Sequence, residues 1–363
     1  MARRRQSLGA WRRLRHPSAP AAPLPLMLLT TLILLLTTLL AACSTTATAA
    51  APTAAPPLPV LTRPNVLAPY TIFVSDLGSG DLDELGVATR HISASVHGLG
   101  LSADGHTLFV SDISGDRLVA FALAGGALGV EHAVPVGDQP VHMVTTLDGR
   151  TLFVTNFQGH SVSVVDTTTW THTKAIAVPA NPHAIVLSPD GHWAYVACYG
   201  ASAIAVLDTA TASLAATIAL PTLSQPYGIA ISPDGRYIYA SDNLLGRLYV
   251  ISTATHALAG MLPIGSRPAL IARSPDGRTL YITNGASHTV SVVDIGANPA
   301  RPALRATVPV DGYPHGLAVT PDGRYVVVAG TSGHDLSVID THTNRVVATI
   351  PATSDPNDVL IPA

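Results

Sequence analysis

Apolar and polar residues repeat in a regular order along most of the chain after residue 70. Short apolar or alternating runs, rich in Val, Ile and aromatic residues, are separated by turns, and this pattern predicts β-strands rather than helices. In one unit, residues 183–188, 192–198, 202–208 and 213–220 predict four successive strands. No segment between them is long enough for a crossover helix, so each unit is predicted to be an antiparallel meander.

The dipeptide Asp-Gly marks the turn after the first strand of each unit. In this turn it occurs six times, and the spacing between successive turns is 42 to 46 residues. A period in the low forties is typical of the four-stranded blades of β-propellers. The aspartates of these turns are Asp104, Asp148, Asp190, Asp234, Asp276 and Asp322.

Second strands give a count of seven blades. They are predicted at residues 71–76, 107–112, 151–156, 193–198, 237–242, 280–284 and 325–330. The first of these units has no first strand of its own, whereas residues 355–363 have the pattern of a first strand and lack the rest of a blade. We therefore predict an all-β, seven-bladed propeller over residues 66–363. Residues 355–363 should join the blade begun by residues 71–96 and close the ring.

The first 65 residues differ from the rest. Residues 1–42 contain six arginines and a Leu-rich apolar run, which ends in "LAAC" at residues 40–43. This order predicts a secretory signal, although an uncleaved membrane helix is an alternative. The last residues of the run resemble the lipobox of bacterial lipoproteins. That resemblance implies lipidation of Cys43 and an extracytoplasmic chain attached to a membrane. Residues 43–65, rich in Ala, Pro and Thr, predict an extended tether.

Net charge argues against a nucleic-acid partner. The chain has 20 basic and 23 acidic residues. Six of the basic residues lie in residues 1–42, so the remainder carries 14 basic and 23 acidic side chains, a net charge of −9. Such a surface is not suited to DNA or RNA. We expect a monomer that binds a protein or a small molecule.

Histidine recurs near the start of the predicted first strands. When the first strands are aligned by their turns, we assign the entry position to His97, His142, His183, Tyr227, Ala269 and His315. On the closing strand this position is Asn357. First strands line the channel of a propeller, so these residues should form a ring at one mouth. Three uses of the ring remain open. His97, His142 and His183 could bind Zn or Cu; the imidazoles could instead form structural hydrogen bonds; or the ring, with Asp358, could form a pocket for an organic ligand.

Two segments carry a resemblance to a known family. "LFVTNFQGHSVSVVD" (residues 152–166) and "LYITNGASHTVSVVD" (residues 280–294) resemble the YVTN-type β-propeller repeat. The resemblance covers residues 70–363 and supports the propeller fold. It implies little about function, since the repeat occurs in surface proteins, lactonase-like enzymes and redox proteins.

No motif for a catalytic nucleophile is present. Gly-x-Ser-x-Gly is absent, Cys198 lies in a predicted buried strand, and the acidic residues 77–87 predict a solvated turn. Arg267 and Arg273 are expected to be solvated surface charges rather than a site for an anionic substrate. We therefore expect a non-catalytic binding module with its ligand at the channel mouth. The alternatives are a lactonase-like hydrolase and a His-ligated metal-binding or redox-associated propeller.

Overall fold

The computed structural model describes residues 62–123, 128–352 and 354–362. These described residues belong to one compact unit. The predicted signal, its Cys43 and most of the predicted tether lie outside the described residues. The described part begins with Thr62 and a short 3-10 helix, Asn65–Leu67, whose Leu67 is fully buried.

Seven four-stranded antiparallel sheets form the blades, as predicted. Blade 1 contains β1 (Phe73–Asp76), β2 (Asp81–Glu84), β3 (Ala88–His91) and the closing strand β28 (Pro356–Leu360). Blade 2 contains β4 (Val96–Leu101), β5 (Thr107–Asp112), β6 (Arg117–Ala122) and β7 (Val130–Pro135). Blade 3 contains β8 (Pro140–Thr145), β9 (Thr151–Asn156), β10 (Ser161–Asp166) and β11 (Thr171–Ala177).

The other four blades follow the same order. Blade 4 contains β12 (Pro182–Leu187), β13 (Trp193–Cys198), β14 (Ala203–Asp208) and β15 (Ser213–Ala219). Blade 5 contains β16 (Pro226–Ile231), β17 (Tyr237–Asp242), β18 (Arg247–Ser252) and β19 (Ala257–Pro263). Blade 6 contains β20 (Pro268–Arg273), β21 (Thr279–Asn284), a 3-10 helix (Gly285–Ser287), β22 (Thr289–Asp294) and β23 (Ala303–Pro309). Blade 7 contains β24 (Pro314–Val319), β25 (Tyr325–Gly330), β26 (Asp335–Asp340) and β27 (Arg345–Pro351).

The C-terminal strand closes the ring. β28 pairs antiparallel with β1, and Phe73 lies opposite Leu360. It also contacts the innermost strands of the two neighbouring blades, β24 and β4. The predicted closure is confirmed, and it leaves no blade without its innermost strand.

The Asp-Gly turns explain why the sequence repeats. In blade 4, the Ser188 hydroxyl donates to Asp190 Oδ1 at 2.5 Å and accepts from the Trp193 N–H at 2.9 Å, while the His192 N–H donates to the same carboxylate oxygen at 3.0 Å. Gly191 has a φ of 75°, which favours glycine. Each turn therefore requires a hydroxyl, an aspartate and a glycine at fixed spacing.

Burial is greatest in the two middle strands of each blade. The second and third strands of each blade are almost wholly buried between neighbouring blades, whereas fourth strands such as Thr171–Ala177 are mostly exposed. The apolar core is thus distributed between blades rather than gathered at one centre. Across the described part of the chain, no helix is long and apolar enough to cross a membrane.

Candidate functional site

Most of the residues predicted for the channel mouth meet there. The imidazoles of His97, His142 and His183 come from blades 2, 3 and 4. Ring centroids are 5.0 Å apart for His97–His142, 4.8 Å for His142–His183 and 5.4 Å for His97–His183. We call these three side chains the imidazole cluster. His97 and His183 are 6% and 2% exposed, and His142 is half-buried. Ala269, the remaining predicted ring residue, is buried on blade 6.

His142 reaches the cluster from a different strand position than we predicted. Met143 lies opposite Val154 in blade 3, just as Leu99 lies opposite Val110 in blade 2. This register puts Val141, not His142, at the position of His97. Our placement of His142 was therefore wrong by one residue, because it lies six residues before Asp148 and the entry residues of the other blades with this turn lie seven before theirs. His142 occupies a position that is glycine in three other blades, at Gly98, Gly228 and Gly316.

Asp358 occupies the same special position in blade 1. It is one residue beyond Asn357, and its Oδ2 accepts the Leu99 N–H of blade 2 at 3.1 Å. Burial raises the pKa of Asp358 to about 6, against the effect of the backbone N–H groups of Leu99 and Val359. Asp358 also contributes to the raised pKa of Tyr227, after burial and two tyrosines. Blades 1 and 3 thus depart from the repeat with a carboxyl and an imidazole.

His315 is part of the site, although the sequence suggested that Ala269 and Asn357 would isolate it. Its ring centroid is 5.6 Å from that of His97. Its Nδ1–H donates to the Asn357 carbonyl at 3.0 Å, so its Nε2 accepts the Tyr227 hydroxyl at 2.9 Å. Tyr227 also packs against His183, with ring centroids 3.6 Å apart. A hydrogen-bonded chain therefore crosses the channel beside the imidazole cluster.

The imidazole cluster has nitrogens without partners. Nδ1 of His97, Nε2 of His142 and Nδ1 of His183 are buried and make no hydrogen bond. Buried polar atoms are usually paired, so such a group of three needs an explanation. The structural hydrogen-bonding role that we considered fits His315 but does not account for these three nitrogens.

Burial favours the neutral form of all four histidines by lowering the pKa of each. Burial, followed by the repulsion of neighbouring imidazoles, lowers the pKa of His97 and His183 far below the usual value. Burial, followed by the charge of His315, lowers the pKa of His142 to about 3. Burial also lowers the pKa of His315, against the effect of its bond to Asn357. Neutral imidazoles have a free lone pair, which can accept a proton or bind a metal.

Aromatic side chains from the loops after β9 and β13 extend the wall above the cluster. Phe157 lies 6.0 Å from His183 and 6.0 Å from Tyr199, and Tyr199 lies 5.7 Å from Tyr227, between ring centroids. Sequence analysis missed Phe157 and Tyr199. The signal was present, since two consecutive blades place an aromatic residue directly after the second strand.

Sequence analysis also missed the hydroxyls that position the histidines. Thr155 Oγ1 contacts the His183 carbonyl at 2.6 Å and the His142 carbonyl at 3.0 Å, and accepts the His142 N–H at 3.1 Å. Thr283 Oγ1 donates to the His315 carbonyl at 2.6 Å. Five second strands carry Ser or Thr at this penultimate position: Ser75, Ser111, Thr155, Ser241 and Thr283. The hydroxyl between two blades is thus part of the repeat.

Three other candidates are not among the side chains that contact one another at the channel mouth. Residues 77–87 are not simply a solvated turn, because Asp81–Glu84 forms β2 and buries Asp81 and Asp83. Arg267 and Arg273 are exposed, as predicted. Cys198 is buried and unpaired, and burial raises the pKa of its thiol to about 12, which agrees with an inert core residue.

Comparison with known proteins identifies the class. The sequence matches the family described as "Lactonase, 7-bladed beta-propeller" over residues 80–253 and 244–349. These segments cover more than half of the chain, so it belongs to this family. The resemblance to lactonase-like propellers is thereby confirmed, whereas the YVTN-type repeat stays a prediction. Comparison with curated proteins found no match.

Solved structures share the fold. The periplasmic gluconolactonase PpgL of Pseudomonas aeruginosa is 21% identical, with a TM-score of 0.69 over 81% of this chain and 99% of that one. A candidate 6-phosphogluconolactonase of Bacteroides fragilis is 18% identical, with a TM-score of 0.71 over 83% and 100%. Hydrazine synthase of Kuenenia stuttgartiensis is 25% identical, with a TM-score of 0.66 over 74% and 91%.

The family match overturns one prediction. We expected a non-catalytic binding module, and that expectation is wrong because the chain belongs to a family of lactonase propellers. It rested on the absence of a sequence motif for catalysis. In a propeller, however, side chains from different blades meet at the mouth without any shared local motif.

Proposed function

We propose that this protein is a lactonase-like hydrolase, which opens a cyclic ester bound at the channel mouth that contains the imidazole cluster. The family match over residues 80–349 is the observation that carries the proposal. The unpartnered imidazoles support it, because they place neutral nitrogens without hydrogen-bond partners in a buried site. The gluconolactonase name of one solved neighbour makes sugar lactones the first substrates to test.

Neutral imidazoles suit the required proton transfers. A water oxygen attacks the lactone carbonyl carbon while its proton passes to a free imidazole nitrogen. The bond between the carbonyl carbon and the ring oxygen then breaks, the ring oxygen takes up the proton, and a hydroxy acid leaves. Positioned bases of this kind contribute about 10²- to 10⁴-fold to a rate.

Phe157, Tyr199 and Tyr227 offer a surface for the substrate. Their rings form a continuous wall beside His183. An aromatic wall can pack against the C–H face of a sugar-derived ring and orient its carbonyl toward the imidazole cluster. The described side chains that meet at this site are histidines, aromatic residues and Asp358, with no lysine or arginine among them. We therefore propose a neutral rather than a phosphorylated lactone.

The test is hydrolysis of δ-gluconolactone by the full chain, followed as acid release and corrected for spontaneous opening. We expect His183→Gln to lower kcat by about 10²-fold or more, the scale of a lost general base. His342→Ala, at an exposed turn, is the matched histidine control. Rates equal to the uncatalysed reaction for δ-gluconolactone and for a panel of aliphatic and phosphorylated lactones would overturn the proposal.

We also propose that the chain is exported and anchored through a lipid on Cys43. The six arginines, the apolar run and "LAAC" at residues 40–43 support this. In a bacterial host, Cys43→Ala should shift the protein from the membrane fraction to the soluble extracytoplasmic fraction. An unchanged membrane fraction would argue for an uncleaved helix instead.

A further inference from the structure

We propose that His97, His142 and His183 bind one divalent first-row transition metal, with Zn²⁺ as the best fit. Their ligand nitrogens lie within 4.8 Å of one another. Three imidazoles with a free fourth position form a known type of zinc site. The family match assigns no metal to this chain.

Ring positions already match a metal site. With Zn–N distances of about 2.0–2.1 Å, the centroid of a bound imidazole lies about 3.2 Å from the metal, so tetrahedral pairs of centroids are about 5.2 Å apart. The three observed separations are 4.8, 5.0 and 5.4 Å. The nitrogens would need to approach to about 3.4 Å. Rotation of the rings about χ2, which is a soft torsion in histidine, brings them together.

The unpartnered nitrogens favour a ligand that accepts lone pairs. One nitrogen on each ring is buried without a hydrogen bond. His97 and His183 are more than nine-tenths buried, so neither ring can turn its free nitrogen to bulk water. A single cation would satisfy all three nitrogens at once. Imidazole nitrogen prefers Zn, Cu, Ni and Fe over Ca or Mg, which bind oxygen.

His315 shows why the site has three ligands rather than four. Its Nδ1 is bound to the Asn357 carbonyl and its Nε2 to the Tyr227 hydroxyl. Neither nitrogen has a free lone pair directed at a metal. The fourth position is therefore left to water, and the site has the open coordination of a catalytic rather than a structural zinc.

Gly98 supports the arrangement by making room for His142. A Cβ on Gly98 would lie 3.0 Å from His142 Nδ1 and 2.0 Å from the Val141 carbonyl oxygen. The Thr155 hydroxyl bridges the backbone carbonyls of His142 and His183. Two of the three ligands are thereby held in a common frame, as metal sites require.

The metal site does not depend on the proposed hydrolase activity, since binding alone defines it. If both hold, the metal takes over the activation of water, because Zn²⁺ lowers the pKa of a bound water to about 7. The imidazoles then act as ligands rather than as bases. His183→Gln lowers hydrolysis in either case, so metal binding has to be measured directly.

The experiment uses the full chain, purified through a tag without histidine and stripped with a chelator. Titration with Zn²⁺ should show one site per chain by calorimetry and raise Tm, because a ligand that binds only the folded state stabilises it. Co²⁺ should give the visible absorption of a tetrahedral nitrogen site. His142→Ala should weaken Zn²⁺ binding by at least about tenfold. Loss of a residue that only supports a ligand already weakens metal binding by about 10- to 100-fold, and loss of a ligand should cost at least as much.

Two variants separate the cluster from other histidines. His342→Ala removes an exposed histidine and should leave the stoichiometry and affinity unchanged. His315→Gln should keep one Zn²⁺ per chain, because His315 is not a ligand. No saturable Zn²⁺ or Co²⁺ binding by the wild type, or equal affinity in His142→Ala, would overturn the proposal. Hydrolysis without metal binding would overturn only the proposed metal site. Metal binding without hydrolysis would overturn only the proposed hydrolase function.

Discussion

Gly98 and His142 lie against each other across blades 2 and 3, and the absence of a side chain at Gly98 leaves room for the imidazole. The same relationship recurs between Gly316 and Asp358, where a Cβ would lie 2.8 Å from the carboxylate Oδ1 and 2.4 Å from the Asn357 carbonyl. Glycine on one blade thus admits a functional group on the next. A chemical site can be added to a regular repeat in this way without changing the strands.

Gly98→Ala should destabilise the protein. The added methyl would overlap the Val141 carbonyl, so blades 2 and 3 must separate, at a cost of about 1–3 kcal/mol for overpacking of this kind. The free energy of unfolding in urea measures the loss. Gly129→Ala is the control, because a Cβ there meets no atom within 4 Å. Equal stability of the two variants would contradict the close approach.

Thr155→Val should weaken the contact between blades 3 and 4. The substitution keeps the size of the side chain but leaves the His183 and His142 carbonyls without their hydroxyl partner. Loss of a buried hydrogen bond of this type costs about 1–3 kcal/mol. Thermal unfolding should show a lower Tm than for Thr222→Val, which alters an exposed loop threonine. A Tm as high as that of the control would show that the bridge contributes nothing.

Asp358→Asn should change how stability depends on pH. The pKa of Asp358 is raised from 3.8 to about 6 in the folded state. The folded protein therefore holds a proton that the unfolded chain releases, and this contribution is present below pH 4 and is lost as pH rises through 6. The wild type should lose about 3 kcal/mol relative to Asp358→Asn over that range.

Urea unfolding of both proteins at pH 4, 5, 6 and 7 tests this prediction. Only the difference between the two curves is informative, because the buried histidines act with the opposite sign as pH falls. Asp138→Asn, at an exposed loop position, controls for the loss of one negative charge. A constant difference between wild type and Asp358→Asn would rule out a raised pKa.

Tyr227→Phe should release the ring of His315. The substitution removes the hydroxyl that donates to His315 Nε2 at 2.9 Å, and it leaves that buried nitrogen unpaired. We expect a loss of about 1 kcal/mol in stability and an altered imidazole NMR signal for His315. Tyr199→Phe, on the same aromatic wall, should leave that signal in place. An unchanged His315 signal in Tyr227→Phe would contradict the pair.

Sequence periodicity predicted most of the fold because each blade repeats the same local requirements. Asp190 and Gly191, for example, are needed for a turn wherever they occur, and the turn fixes the strands on both sides. The period of the turns then indicated a propeller, the second strands gave the number of blades, and the unpaired strand at residues 355–363 gave the closure. The turns and strands are local features of the sequence, and the number of blades and the ring closure follow from counting the strands.

The site was only partly predictable, for a physical reason. His142 was misplaced by one residue: it lies six residues before Asp148, whereas Val141 lies seven before it, which is the spacing of the entry residue in the other blades that have this turn. The contact between Tyr227 and His315 crosses the channel between blades that are not adjacent, and no spacing in the sequence encodes it. Asp81 and Asp83 were misread because charge alone does not distinguish a turn from a short buried strand.

The strand that closes the ring also carries part of the site. β28 supplies the Asn357 carbonyl, which holds His315, and it supplies Asp358. A chain with blades 2 to 7 formed, but with β28 undocked, would lack both groups at its mouth. The site is therefore complete only when the ring is closed, and a chain with β28 undocked would hold an incomplete site.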